Sequence, residues 1–182
     1  MQMKKIIESW DSYLTEQKCK LPNRGDIAEG VVAAAIAAKL SKRVNGKIEM
    51  ISVSDVVAQV ASIQDMNTVV SNVVPDFSDQ HEDTVSFSIS MPKRPFEALV
   101  DRNLLACLQG EYEGAVSYVN SPPMHKFATR LASNKKSNNI LVKAAGTEDQ
   151  KGTKVDISII VDGNKLRNQL SLKVKGGEQF AQ

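Results

Sequence analysis

An aspartate and a lysine, Asp156 and Lys173, interrupt two segments that otherwise alternate apolar and polar residues as β-strands do. Both belong to the stretch 154–177, whose sequence is KVDISIIVDGNKLRNQLSLKVKGG. Two such strands joined by a tight turn form a hairpin with one apolar and one polar face. The polar face could simply be exposed to solvent. Alternatively, the carboxylate and the ammonium group meet a third group and carry out chemistry.

The turn of this hairpin can be placed in two ways. A turn at Gly163–Asn164 sets Asp156 opposite Ser171. A turn one residue earlier, at Asp162–Gly163, sets Asp156 opposite Gln169. Because side chains alternate with a period of two, either register predicts that the aspartate and the lysine share the polar face.

A second acid, Glu29, interrupts an apolar helix. The segment 25–43, GDIAEGVVAAAIAAKLSKR, is rich in helix formers, and its residues one, two and three turns after Glu29 are apolar. A carboxylate on such a face is costly to bury without a partner. One explanation is local, because Asp26 as N-cap and Glu29 three residues later would form a capping box. The other is that Glu29 lies at the edge of a cleft.

Two carboxylates and a lysine suit one kind of chemistry in particular. The chain has two histidines, so a histidine-rich metal site is not expected and a metal ion would be held by oxygen. Mg²⁺ typically takes one or two carboxylates, with water and substrate phosphate completing its shell. A lysine beside it can position a water molecule or stabilise the charge that grows on a phosphate in the transition state.

The elements that must position these groups are predicted from hydrophobic periodicity. Helices are predicted over 4–18 and 25–43, from Ser54, from Pro95 through Leu108, and after Ser121; strands are predicted over 84–91 and 140–145 and in the hairpin. The order predicts an α/β (α+β) fold in which a mainly helical middle is followed by a three-stranded antiparallel meander.

Length, apolar runs and cysteines narrow the class of protein. A chain of 182 residues with 42% hydrophobic residues fits a single domain with its own core. The longest apolar run, 31–38, is too short to cross a membrane, and the N-terminus does not resemble a signal peptide. Cys19 and Cys107 form no CxxC pair, which predicts reduced thiols and a cytoplasmic location.

Charge is distributed unevenly along the chain. The range 124–175 contains 11 lysines and arginines against 4 acidic residues, whereas the remainder contains 12 against 17. A basic half of this kind indicates attraction to a polyanion.

The three chemical groups together resemble those of the PD-(D/E)XK nuclease superfamily, whose fold is that of type II restriction endonucleases. The matching parts are the helical acid Glu29 in GDIAEG, the strand acid Asp156 in TKVDISI, and Lys173 in the SLK of the next strand. Gln179, in GGEQFAQ, resembles a glutamine that some branches carry on the helix after the lysine strand.

The resemblance implies a restriction-endonuclease-like core, a helix packed on a three-stranded antiparallel meander, within one domain spanning 1–182. The core would comprise 25–43 and 140–182, and 44–139 would be a mainly helical insertion. The family core continues with a further helix and strand. Because the chain stops at Gln182, we expect a core cut short at its C-terminus.

The chain departs from the family pattern at two points. Ser171 stands where an acid is expected two residues before the lysine, and no proline precedes Asp156. The resemblance implies that Glu29 and Asp156 hold the metal ion and that Lys173 acts on water or phosphate. Ser171 and Gln179 would complete the catalytic site with polar contacts.

The function that the resemblance implies is a metal-dependent DNA endonuclease with Mg²⁺ or Mn²⁺ as cofactor, similar to compact phage-borne members of the superfamily. The resemblance is also compatible with a homodimer. Phosphate contacts that read no sequence are expected from Lys126, Arg130, Lys135, Lys136 and Lys175. Two other functions stay open. One is a non-catalytic nucleic-acid-binding module with a degenerate nuclease fold, and the other is a structural or assembly protein whose hairpin is merely amphipathic.

Overall fold

One long helix, α1 (Arg24–Ser41), forms the centre of the structure. The structure is a computed structural model that describes residues 19–44, 47–63, 84–132, 139–144, 155–166, 170, 172–175 and 178–181. α1 is rich in alanine, and nearly all of its side chains are buried. A helix that is apolar on every side is stable only when other elements surround it. Strands and further helices accordingly pack around α1.

The N-terminus of α1 differs from the sequence prediction. Asn23 is the N-cap, and its side-chain oxygen accepts a hydrogen bond from the Asp26 amide at 3.4 Å. The φ angle of Asn23 is 32°, in the left-handed region that asparagine tolerates because its short side chain bonds locally. The prediction that Asp26 is the N-cap is therefore wrong. Asp26 lies in the first turn, and Glu29 lies in the second.

Further helices pack against α1, namely α2 (Val53–Ala61), α3 (Lys93–Val100), α4 (Gln109–Asn120) and α5 (Pro122–Ala132). The prediction of one helix from Pro95 through Leu108 is wrong, because α3 ends at Val100 and a 3₁₀ helix, η1 (Arg102–Leu108), follows. Asp101 separates them with an extended backbone, and its carboxylate accepts a hydrogen bond from the Asn103 amide at 2.9 Å. This side-chain cap begins a new helical segment.

The main sheet contains, in spatial order, β3 (Thr84–Ile89), β4 (Asn139–Ala144), β5 (Ile157–Val161) and β6 (Asn164–Lys165). β4, β5 and β6 pair antiparallel, whereas β3 pairs parallel to β4. The mixed α/β class is confirmed. The sheet contains three consecutive antiparallel strands, β4 to β6, but β3 adds a parallel strand that makes it four-stranded and mixed. A parallel pair needs a long crossover connection, and α3, η1, α4 and α5 lie in the chain between β3 and β4. The segment predicted as an insertion therefore contributes a strand to the sheet.

The tight hairpin turn follows the second of the two predicted registers. Val161 pairs with Asn164, which leaves Asp162–Gly163 as a two-residue turn. Both turn residues have positive φ angles, 50° and 79°, as a type I′ turn requires. Further from the turn, Ile157 bridges Leu170, which is the pairing that the other register would produce. The offset between the two strands thus changes by two residues within the hairpin.

Two short antiparallel pairs lie outside the main sheet. β1 (Arg43–Val44) pairs with β2 (Lys47–Ile48), and β7 (Leu172–Lys175) pairs with β8 (Glu178–Ala181). Gln179 lies in β8, so the expectation that it belongs to a helix is wrong. The sequence Gly-Gly between β7 and β8 favours a hairpin turn over the start of a helix.

A disulfide joins Cys19 to Cys107, which are 88 residues apart in the chain. The prediction of reduced thiols is therefore wrong. That prediction was based on the absence of a CxxC pair. Spacing along the chain cannot show that η1 brings Cys107 next to Cys19. Within the described ranges, no helix has the length and apolar character needed to cross a bilayer.

Candidate functional site

Glu29 occupies the second turn of α1, at one of the few positions of this helix that is not fully buried. Its Oε2 atom is buried. In a capping box, Glu29 would accept a hydrogen bond from the Asp26 amide, but that amide donates to Asn23 Oδ1 instead. A local capping role therefore does not account for the carboxylate of Glu29.

Asp156 lies at a β-bulge immediately before β5. The amides of Asp156 and Ile157 both donate to the carbonyl oxygen of Leu170, at 3.0 and 3.1 Å, and the Leu170 amide donates back to Ile157 at 3.0 Å. Two consecutive residues of one strand thus face one residue of the other, which is the pattern of a bulge. A bulge interrupts the alternation of side chains along the strand and changes the direction of the side chain at the bulge. Simple alternation, which grouped Asp156 with Ser158, therefore does not extend through Asp156.

The turn of α1 that carries Glu29 packs closely on one end of the sheet. The neighbouring residue, Gly30, is so near β3 that an added Cβ would lie 3.5 Å from Ile89 Cδ1. Ile89 is the last residue of β3. A Cβ at this position would be in ordinary van der Waals contact with Ile89, so this turn of α1 lies directly against the end of the sheet.

Asp156 lies at the same end of the sheet. Ile89 pairs with Ala144, and Ala144 pairs with Ile157, so that these three residues form one row across β3, β4 and β5. Because neighbouring strands are about 4.8 Å apart, the row spans about 10 Å. Asp156 directly precedes Ile157 in the chain. The second turn of α1 therefore packs on the same end of the sheet as the one next to Asp156.

The strand that carries Lys173 begins beside this bulge. Lys173 lies on β7, three residues after Leu170, so its Cα is within about 11 Å of the Leu170 Cα. The backbone of Lys173 pairs with Phe180 of β8, and Lys175 lies further along the same strand. Ser171 lies outside the residues that the structure describes.

Polar contacts brace the N-terminus of α1. The Asn23 amide group donates to Asp26 Oδ2 at 2.6 Å, and the Arg24 guanidinium donates to Glu111 Oε1 of α4 at 2.6 Å. Asp26 is 2% exposed. These contacts fix the first turn of α1 against α4, and therefore set the position of the turn that carries Glu29.

The predicted phosphate-contacting residues are described in part. Lys126 and Arg130 lie on α5, are exposed, and are four residues apart, which places them on one side of the helix. Lys135 and Lys136 lie outside the described residues.

Two further basic residues, Arg43 and Lys47, escaped the sequence prediction. They lie on β1 and β2, on either side of the sequence Asn45-Gly46. Asn-Gly between two short strands is a strong hairpin signal, so the dipeptide could have revealed this basic hairpin.

The donor set at the sheet end suits a hard metal ion. Glu29 and Asp156 are both carboxylates, and Mg²⁺ or Mn²⁺ prefers oxygen ligands of this kind. Among the described residues, no group of three or more histidine, cysteine, aspartate or glutamate side chains gathers at one point. Mg²⁺ needs only one or two protein carboxylates when water and phosphate complete its shell. The chemistry of the two donors therefore fits this ion.

A concave region lies in the helical layer, and neither Glu29 nor Asp156 lines it. A cavity of about 240 Å³ opens between α2, α3, η1 and α4, and its lining is mainly apolar. Burial raises the pKa of Tyr112, which lines the cavity, to about 12. The one carboxylate in the lining, Asp101, already caps η1. This cavity therefore lacks the paired acids that phosphodiester hydrolysis needs.

No protein-family model, curated protein or solved structure matches this chain. The function must therefore be inferred from the chemistry of its own residues.

Proposed function

We propose that the protein is a metal-dependent nuclease that hydrolyses phosphodiester bonds in DNA, with Mg²⁺ or Mn²⁺ as its cofactor. The observation that carries the proposal is that both acids lie at the same end of the sheet, the turn of Glu29 over β3 and Asp156 before β5, across a row of about 10 Å. The turn of α1 that bears Glu29 packs at Ile89, the first residue of the row. Asp156 lies on a bulge next to Ile157, the last residue of the row. A metal ion held by both carboxylates would join the helix to the strand at this end of the sheet.

Each residue has a distinct role in the proposed reaction. Glu29 and Asp156 would hold the metal ion, which supplies positive charge that stabilises the phosphate and makes a nearby water molecule more acidic. Lys173 would donate hydrogen bonds to the attacking water or to a phosphate oxygen as negative charge grows there. Its ammonium group suits this role because it is a compact point charge with three donors. Ser171 and Gln179 would add polar contacts, and Lys126, Arg130 and Lys175 would hold the phosphate backbone.

A cytoplasmic location belongs to the same proposal, because the proposed substrate is DNA inside the cell. Cytosolic thiols are usually kept reduced, whereas Cys19 and Cys107 are joined in the structure. Alkylation of free thiols in freshly lysed cells would show which state prevails. Modification of both cysteines would agree with a reducing compartment, and protection of both would contradict it.

The test is cleavage of a supercoiled plasmid with Mg²⁺, Mn²⁺ or EDTA. Cleavage should require the metal ion and should be abolished by Glu29→Gln and by Asp156→Asn, which remove charge but preserve side-chain size. Glu113→Gln is the matched control, because Glu113 is an exposed acid on α4 that bonds only to Gln109 in the described part of the chain. Loss of cleavage in the control as well would point to unfolding rather than to a catalytic role.

A non-catalytic nucleic-acid-binding module is the second candidate. The observations that favour it are Ser171 in place of an acid and Gln179 in β8 instead of a helix. This candidate predicts DNA binding that is independent of Mg²⁺ and no cleavage under any condition of the same assay. Metal-dependent cleavage that Asp156→Asn abolishes would exclude it.

A further inference from the structure

We propose that the hairpin β1–β2 and helix α5 form one surface that binds duplex DNA, with the hairpin in a groove and α5 on the adjacent phosphates. The hairpin–α5 surface consists of Val44 and Lys47, which share one face of the hairpin, and of Lys126 and Arg130 on α5. Helix α5 packs against β2, so the two elements adjoin. The inference rests on the proposed nucleic-acid substrate and adds to it a contact surface and the form of the nucleic acid.

Positive charge on the hairpin–α5 surface is not neutralised within the described part of the chain. Lys47, Lys126 and Arg130 are exposed and belong to none of the ion pairs found there. Helix α5 contains no acidic residue, and the segment 42–50 contains three basic residues but only one acid, Glu49. Basic side chains without acidic neighbours favour the phosphates of a nucleic acid, whose counterions they displace.

Hydrogen bonds hold the base of the hairpin to the C-terminus of α1. The Lys42 amide donates to the carbonyl oxygen of Ala38 at 3.0 Å, and the Glu49 amide donates to that of Lys42 at 3.0 Å. The Lys42 ammonium group pairs with Asp55 of α2 at 2.8 Å. Strands whose ends are held in this way lose little conformational freedom when they bind a partner, so they are suited to recognition.

The segment also displays apolar surface where contact is expected. Val44 and Met50 are the large apolar side chains that stand out as exposed in the described residues, at 52% and 56%. Val44 is the cross-strand partner of Lys47, so a basic side chain lies beside it on the same face of the hairpin. Two-stranded ribbons can enter a DNA groove, and apolar side chains at such positions pack against sugars and bases. An apolar side chain beside a basic one therefore matches the bases inside a groove and the phosphates that border it.

The surface lies at the end of α1 opposite the candidate metal site. Glu29 and Ser41 are twelve residues apart on α1, which is about 18 Å along the helix axis. The hairpin follows Ser41 in the chain. One base pair rises about 3.4 Å, so a duplex that spans this distance needs at least about five base pairs. A duplex of modest length is therefore long enough to cover the distance between the two sites.

The first test is the salt dependence of binding, measured by fluorescence anisotropy in EDTA with a labelled DNA duplex of about two helical turns. Lys47→Gln should weaken binding and lower the log–log slope by about 0.9, which corresponds to one lost phosphate contact. Lys93→Gln is the matched control, because Lys93 is also exposed but pairs with Glu97 on α3. The control should keep the parental slope. An unchanged slope in Lys47→Gln would overturn the proposal.

The second test separates the groove contact from the phosphate contact. Val44→Ser should weaken duplex binding without changing the slope, because valine carries no charge, and should leave binding of the single strand unaffected. Parental duplex affinity in Val44→Ser, or equal binding of an RNA duplex, would contradict the groove assignment for DNA. Circular dichroism would confirm that each variant is folded.

These measurements are independent of catalysis. If the parent protein cleaves DNA but the hairpin variants bind as the parent does, the hairpin–α5 inference fails and the nuclease proposal stands. If the hairpin variants lose duplex binding while the parent cleaves nothing, the inference stands and the nuclease proposal fails.

Discussion

The side-chain oxygen of Asn120 accepts a hydrogen bond from the ammonium group of Lys39 at 3.0 Å. Lys39 belongs to α1 and is 2% exposed, and Asn120 is the last residue of α4. Burial lowers the pKa of Lys39, because the charged ammonium loses solvation there. One amide group therefore partners a buried cation and ties two helices together beneath the β1–β2 hairpin.

Asn120→Ala should destabilise the protein by roughly 2–4 kcal/mol, because it leaves several buried polar groups without partners. The same amide accepts from the Ile51 amide at 3.1 Å and donates to the Ile51 carbonyl at 2.7 Å, in addition to its bond with Lys39. Urea unfolding would measure the loss. Asn103→Ala, at an exposed site, is the control and should change stability by no more than about 0.5 kcal/mol. Equal effects of the two substitutions would contradict this role of Asn120.

Asp55 should make stability depend on acid pH. The Lys42 ammonium group, helped by hydrogen bonds from Ser52, lowers the pKa of Asp55 from 3.8 to about 2. A carboxyl group whose pKa is lower in the folded state contributes stability that is complete above its unfolded pKa. That contribution is lost as the pH falls from about 4 toward 2. The stability difference between the parent and Asp55→Asn, followed by urea unfolding, should shrink over this window, and a constant difference would contradict the assignment.

Gly30→Ala should destabilise the protein by about 1 kcal/mol, because the ends of two buried side chains must move to admit the added methyl group. A Cβ at Gly30 would lie 2.7 Å from Met91 Cε and 2.8 Å from Leu99 Cδ2. Gly114→Ala, in α4, is the opposite case, since nothing lies within 4 Å of its added Cβ. It should stabilise the protein by about 0.4–1 kcal/mol through the lower entropy of the unfolded chain. Thermal unfolding of both variants would check the sign of each effect.

Reduction of the disulfide should lower the free energy of unfolding by about 2–4 kcal/mol. Cys19 and Cys107 are 88 residues apart, so the bond restricts a long loop of the unfolded chain. Unfolding with and without dithiothreitol would measure the loss. Cys107→Ser should show the same lower stability and no response to the reductant. A parent protein that is itself indifferent to dithiothreitol would contradict the bond.

Lys173→Ala should lower cleavage by at least ~100-fold, the usual scale for losing one preorganised electrostatic group. Lys173 lies on β7, close along the chain to the residue that faces the Asp156 bulge. Lys165→Ala is the control, because Lys165 is exposed on β6 near the turn. Single-turnover cleavage would compare the rates. A Lys173→Ala variant that cuts at the parental rate would end the catalytic assignment.

The sequence by itself determined the features that depend on neighbouring residues. The alanine-rich segment 25–43 predicted a helix, because its composition favours helix, and the structure has this helix at Arg24–Ser41. The Asp-Gly and Gly-Asn dipeptides limited the hairpin turn to two registers, of which the structure adopts Asp162–Gly163. Alternation over 157–161 indicated the strand that became β5. In each case the signal lies within a few residues of the element it predicts.

Only the tertiary structure decided the features that depend on contacts between distant parts of the chain. The sequence left Glu29 with two explanations, and the bond between Asn23 and the Asp26 amide removed the capping one. Alternation predicted a face for Asp156, but the Leu170 carbonyl bonds two successive amides and creates a bulge there. A strand pattern cannot specify its neighbours, because backbone groups of any sequence can pair. The parallel pairing of β3 with β4 therefore emerged only when the whole chain was packed around α1.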